Sequence, residues 1–158
     1  MQTNQGNTEN KAKPFVASLD EINDESVGGK AYGLSRLVSM GLTVPPAFVI
    51  CDAQPGHHPE GLRDAWTALG DYPVAVRSSA RGEDGAEDSF AGQYDTVLNV
   101  EGFDALIGAV DQCVSSLDNK HAREYQGRDN TADTVMNVVI QRMVDARAAG
   151  VVFTADPV

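Results

Sequence analysis

The chain has 158 residues, 42% hydrophobic and 22% charged, which is enough for one globular domain with a real core and ordinary for a soluble protein. Twelve Lys and Arg against 23 Asp and Glu give a formal net charge of −11. That balance opposes non-specific attraction to nucleic acid or to an anionic membrane surface, so any phosphate site must be local.

Residues Met1 to Lys13, MQTNQGNTENKAK, hold almost nothing that could be buried and read as a disordered leader over 1–13. They lack the apolar run of a signal peptide, and no stretch approaches the length of a membrane span. The two cysteines, Cys51 and Cys113, show neither metal-ligand spacing nor a disulfide framework. A soluble protein of the reducing cytoplasm is the expectation.

From residue 14 onward the pattern is one domain. Phe15 to Leu19 reads as a short strand, and Gly28 to Met40 as a helix with Ala31, Leu34, Leu37 and Val38 at helical spacing and Gly41 as its left-handed stop. Val44 to Ile50 reads as a strand entered through prolines. A loop over Cys51 to Pro59 and a short helix over Glu60 to Leu69 lead to a strand beginning at Val74. Asp95 to Val100 is a strand that returns as a hairpin. The clearest helix follows, with Phe103, Leu106, Ile107, Val110, Val114 and Leu117 on one stripe, then a further helical stretch around Ala122 to Tyr125. Thr134 to Val144 is nearly continuous in apolar and β-branched residues, as expected of a strand covered on both faces, with Gly150 to Thr154 as its partner. Helices interleaved with these strands predict an α+β (α/β sandwich) fold with helices packed on a sheet.

The most informative block is AVRSSARGEDGAEDSFAGQYDTVLNV, Ala75 to Val100. At period two, Val74, Val76 and Ser78 share one face of the strand, and Ala75, Arg77 and Ser79 the other. A guanidinium cannot shed its charge, so Arg77 among apolar neighbours needs an anionic partner, and phosphate matches its forked donors. Ser78, Ser79, Gly82, Gly85 and Gly92 would supply short donors and closely approaching backbone. The competing reading pairs Arg77 with an internal carboxylate from Glu83, Asp84, Glu87, Asp88 or Asp95. Those carboxylates disfavour a phosphate resting directly on the loop, unless a divalent cation intervenes or the loop is a lid that closes over nucleotide.

Two weaker signals accompany it. Val27-Gly28-Gly29-Lys30-Ala31 opens the first helix, where backbone N–H groups, the positive end of the dipole and a lysine suit phosphate oxygens. It is not a Walker A loop, and taken singly it is better explained by a glycine-punctuated helix start with a solvated lysine. Gln141 lies in the apolar strand, able to read a base edge or to be a satisfied core amide. His57, His58 and His121 read as surface residues without ligand spacing, and no nucleophile–base pair is recognisable. The residues therefore offer no catalytic group and no metal site.

Taken in order, VGGKAYGLSRL, GLTVPPAFVI, the Ala75–Val100 block, VVIQRM and AAGVVFTADPV resemble the N-terminal nucleotide-binding domain of phosphoenolpyruvate synthase, pyruvate phosphate dikinase and rifampicin phosphotransferase. The resemblance runs from about Val27 to Val158 and implies an incomplete ATP-grasp-like lobe over 14–158. It implies ATP contacts from Lys30, Arg77, Gly92, Thr96 and Gln141, the first two at phosphate, Gly92 and Thr96 around the triphosphate, and Gln141 near the nucleoside. Thr96 enters through the resemblance alone. Within the family ATP is split to AMP and phosphate while a histidine on a separate domain is phosphorylated for transfer to pyruvate or an antibiotic hydroxyl. Mg²⁺ is implied with its ligands outside this chain, as are the histidine and acceptor domains, so the isolated chain is expected not to turn over. Departures from the family pattern are the short Ile50–Pro73 segment and Arg81-Gly82 where Thr-Ala is usual. The alternatives are a rifampicin phosphotransferase-like fragment, a non-catalytic nucleotide-binding module, or a fragment without function whose Val151–Thr154 edge is left unpaired.

Overall fold

The computed structural model describes residues 13–70, 72–80, 96–124, 136–150 and 152, with side chains of 117–124 excepted. Residues 1–12 of the expected leader, Gly92, the five candidate carboxylate partners of Arg77 and all of Val151–Thr154 but residue 152 lie outside the described residues.

The described elements are β1 (Phe15–Ser18), α1 (Gly29–Ser39), β2 (Ala47–Ala53), α2 (Leu62–Leu69), β3 (Val74–Ala80), β4 (Thr96–Val100), α3 (Phe103–Glu124) and β5 (Met136–Arg142). They form a five-stranded sheet in the order β1-β2-β5-β3-β4, antiparallel throughout. The fold is thus α+β, as composition and pattern predicted. One helical expectation changes. The stretch around Ala122 is the end of α3, because nothing in Phe103–Glu124 breaks the helix. A pairing also changes. β2 and β3 occupy both edges of β5, so over Met136–Arg142 no position remains for the expected strand at Gly150–Thr154.

The period-two pattern sorts the sheet into two cores. Phe48, Ile50, Val74, Val76, Met136, Val138 and Ile140 face α2 and α3, meeting Leu62, Leu69, Leu106, Val110 and Val114. Val49, Cys51 and Val139 face the other way, where Ala31, Tyr32, Leu34 and Val38 of α1 cover them. Each fully buried aliphatic side chain contributes about 1.5–3 kcal/mol. As predicted, β5 is covered on both faces, and α1 ends on Gly41 at φ +75°. There Gly41 N–H bonds Val38 O and Leu42 N–H bonds Leu37 O, the paired 5→2 and 6→1 bonds that a left-handed glycine makes possible.

Two bulges adjust the alternation. β2 shifts register between Ile50 and Ala53, with Asp52 at φ +53°, so Ile50 and Ala53 both reach the α3 core. β4 contains Asn99 at φ +56°, and Val97 and Val100 then both point inward. Asp and Asn tolerate this left-handed backbone better than other side chains.

Both cysteines are buried. Burial, with a smaller contribution from the Asp52 carboxylate, pushes the Cys51 thiol up from 9.0 to about 11. The folded state therefore keeps a proton that the unfolded chain releases, and Cys51 favours folding fully below pH 9.0 and loses that contribution as the pH rises toward about 11. Urea midpoints over this interval should fall more steeply for wild type than for Cys51→Ala. Equal slopes would remove Cys51 as the cause.

Candidate nucleotide site

The α1 face of the sheet carries the candidate residues. Arg77 in β3 stands opposite Thr96 of β4 on one side and Val139 of β5 on the other, and directly opposed residues of antiparallel strands share a face. The row grades from Val139, sealed under α1, through half-buried Arg77 to exposed Thr96. Gln141 lies opposite Ala75 and Ala47, diagonal to Arg77 on the same face. Ser79 stands opposite Asn137 one step in the other direction. Among the described residues no carboxylate pairs with Arg77, so its half-buried charge is left for a ligand or for the adjoining loop.

Lys30 enters from above. It is the second residue of α1, half-buried, on the helix whose first turn is fastened to β3. Ser79 Oγ donates to Val27 O at 2.8 Å and accepts from Ala31 N–H at 3.1 Å. The first turn of α1, which bears Lys30, is thus fastened on the face of the sheet that carries Arg77, with the positive end of the α1 dipole at that turn. Thr96 and Gln141 join that face. Gly92 lies outside the described residues.

The serines do not act as the sequence suggested. Ser79 Oγ is committed to the α1 turn, because Gly28 lets the backbone lie against it. Ser78 points to the α3 face, where its buried Oγ has no hydrogen-bond partner. Neither hydroxyl is directed to a phosphate held by Arg77. The Ala31 amide is likewise engaged rather than open. Gln141 is half-buried at the end of its strand, not sealed within it, and its Nε2 donates to Pro45 O at 3.3 Å.

At the end of β5 lies a cleft of about 570 Å³ lined by Pro45, Pro46, Tyr72, Asn99, Arg142 and Met143 among others, and Arg142 stands opposite Val74, whose side chain faces α3 rather than α1. Arg142 stacks its guanidinium 3.1 Å from the Tyr72 ring centroid, a flat cationic wall among prolines. Sequence reading missed this cleft, since its lining comes from four separated segments; the only local cue was Pro45-Pro46.

His57 and His58 are exposed, as expected. His57 Nδ1 lies 3.0 Å from Pro55 O, and His58 Nε2 lies 3.8 Å from Asp111. The side chain of His121 is outside the described residues. Among the described residues no group of three or more His, Cys, Asp or Glu could hold a metal ion, and no helix is long and apolar enough to cross a membrane.

Residues 55–158 match the family model described as the pyruvate phosphate dikinase AMP/ATP-binding domain. The chain is 39% identical to the prodigiosin synthesizing transferase PigC of Serratia marcescens, over 83% of this chain and 18% of that protein. It is 33% identical to a probable phosphoenolpyruvate synthase of Methanocaldococcus jannaschii, over 96% of this chain and 18% of that one. It is 39% identical to a rifampicin phosphotransferase of a Streptomyces species, over 90% and 16% respectively. The chain thus spans under a fifth of the length of each of these relatives. The alignment with the Methanocaldococcus protein covers 209 positions, more than this chain possesses, so that protein carries residues with no counterpart here.

Proposed function

Since the chain belongs to the family of the pyruvate phosphate dikinase AMP/ATP-binding domain, we propose that it is the ATP-binding portion of a dikinase-type phosphotransferase, one lobe of an ATP-grasp-like fold. The observation that carries this reading is the shared face of Arg77, Thr96 and Gln141, on which the α1 turn bearing Lys30 is fastened, with a half-buried arginine that has no carboxylate among the described residues. Lys30 and Arg77 clamp the phosphates and offset the charge that develops in transfer. Thr96, opposite Arg77, offers a hydroxyl to the same triphosphate, and Gly92 belongs to the loop around it. Gln141, diagonal to Arg77 on the same face, takes the nucleoside end of the site. From Ser79 to Ala75 the strand runs four residues, about 13 Å, a span suited to an extended nucleotide.

In this reading ATP is split to AMP and phosphate, and the phosphoryl group passes to a histidine on a separate domain and then to pyruvate or a similar acceptor. Those later parties correspond to the portion of the relatives that this chain does not span. Mg²⁺ enters as the counter-ion of ATP, and no step is assigned to a metal ligand of the described residues.

Titrating ATP with Mg²⁺ into the chain, followed by amide chemical shifts, tests the site. Saturable shifts at Lys30, Arg77, Thr96 and Gln141, at high-micromolar to millimolar ATP, are the expected result. Shifts confined to the opposite α3 face, or none at all, would overturn the assignment.

A further inference from the structure

The turn that delivers Lys30 is flanked by Val27, packed against the α1 core, and by fully buried Ala31, but Glu25 and Ser26 are exposed and the Gly28-Gly29 pair between these anchors has no side chain to pack, so hydrogen bonds decide how its backbone sits. Two buried polar side chains of the sheet make those bonds. Ser79 is 0% and Asn137 2% exposed, and they are direct cross-strand partners on β3 and β5. The Ser79 hydroxyl bridges the two ends of the glycine pair, donating to Val27 O and accepting from Ala31 N–H. Asn137 Nδ2 donates to Ser26 O at 3.3 Å, while its Oδ1 accepts from Asp52 N–H at 3.1 Å. That last N–H belongs to the β2 bulge and has lost its place in the ladder. A reversed amide would set two donors and two acceptors face to face, so this orientation is fixed by its neighbours.

We infer that Ser79 and Asn137 are positioning residues for nucleotide binding, a two-point clamp that sets the Lys30 turn on the Arg77 face. The inference rests on the ATP reading given above. It separates two adjacent serines that the sequence presents as equivalents: Ser79 holds the phosphate-binding turn, and Ser78, on the other face, does not. Removing the Ser79 hydroxyl strands one carbonyl and one amide at the turn, and each net bond is worth about 0.5–1.5 kcal/mol. Loosening at the turn acts on phosphates and spares the nucleoside end of the site.

The experiment compares ATP and adenosine affinities of wild type, Ser79→Ala, Ser79→Thr, Asn137→Ala and Ser78→Ala, together with amide hydrogen exchange of residues 28–31. Ser79→Ala and Asn137→Ala should bind ATP about tenfold more weakly, with faster exchange at the turn and adenosine affinity within about twofold of wild type. Ser79→Thr, which keeps the hydroxyl, should restore ATP binding, and Ser78→Ala should match wild type. Parallel loss of ATP and adenosine binding with a lowered melting temperature would show a merely structural role and overturn the inference. So would unchanged ATP affinity in Ser79→Ala. Should the wild type bind neither ligand, the ATP reading fails and the inference resting on it falls too, whereas wild-type ATP binding that Ser79→Ala and Asn137→Ala leave intact overturns the inference alone.

Discussion

Replacing Arg77 by alanine should abolish measurable ATP binding while leaving the protein at least as stable as before. The two halves of that result come from the same feature. A half-buried guanidinium with no carboxylate among the described residues gains no ion pair from them to offset its partial desolvation, so its loss costs the apoprotein little. Against a polyphosphate the same group makes charge-assisted, forked hydrogen bonds worth about 2–3 kcal/mol, or roughly two orders of magnitude in affinity. Arg77→Lys should recover part of this, because it keeps the charge and loses the fork. Calorimetric titration with ATP and Mg²⁺ gives the affinity, and thermal unfolding without ligand gives the stability. If Arg77→Ala lowers the melting temperature by many degrees, the guanidinium has a structural carboxylate, and the clamp assignment falls.

Much of the fold could be read from the chain because its signals are local and periodic. The stripe Leu106, Val110 and Val114 marks α3, and Gly41 marks the end of α1. The alternation at Val74 to Ser79 places Arg77 and Ser79 on one face, which the strand registers bear out. Less was legible where structure depends on partners distant in sequence. Nothing around Asp52 or Asn99 announces a bulge beyond the tolerance of Asp and Asn for left-handed backbone. Asn137, in a run of apolar residues, gives no hint that its amide joins Ser26 to Asp52, 111 and 85 residues away. The cleft at the end of β5 has the same character, since Pro45, Tyr72, Asn99 and Arg142 meet only after the sheet has formed.

The error over the serines is instructive about the site itself. Hydroxyls after a strand arginine look like phosphate donors, yet polar groups buried under a helix must first satisfy backbone nearby. Ser79 does so by bonding the α1 turn. Arg77, by contrast, has no carboxylate partner among the described residues. Sequence order suggested a continuous phosphate loop. The strand instead alternates between the α1 face and the α3 face, and the helix start is fastened to the former through Ser79.

That fastening predicts the second large effect, at Gly28. Its backbone sits at φ +84° and ψ 159°, a region essentially closed to residues with a Cβ and costing about 1–3 kcal/mol for any of them. Space forbids the substitution independently. A Cβ there would lie 2.6 Å from the carbonyl carbon and Oγ of Ser79 and 2.7 Å from its carbonyl oxygen, and two of those atoms are strand backbone that cannot swing aside. Gly28→Ala should therefore lift the start of α1 off β3, breaking both Ser79 bonds and withdrawing Lys30. We expect a loss of about 3–5 kcal/mol and a melting temperature lower by on the order of 10–20 °C, with ATP binding lost. Gly33→Ala supplies the contrast on the same helix. It is exposed, its added Cβ meets nothing within 4 Å, and it should stabilise by about 0.5–1 kcal/mol with ATP affinity unchanged. Equal melting temperatures for Gly28→Ala and wild type would mean that α1 does not rest on Ser79, and the placement of the Lys30 turn on the Arg77 face would go with it.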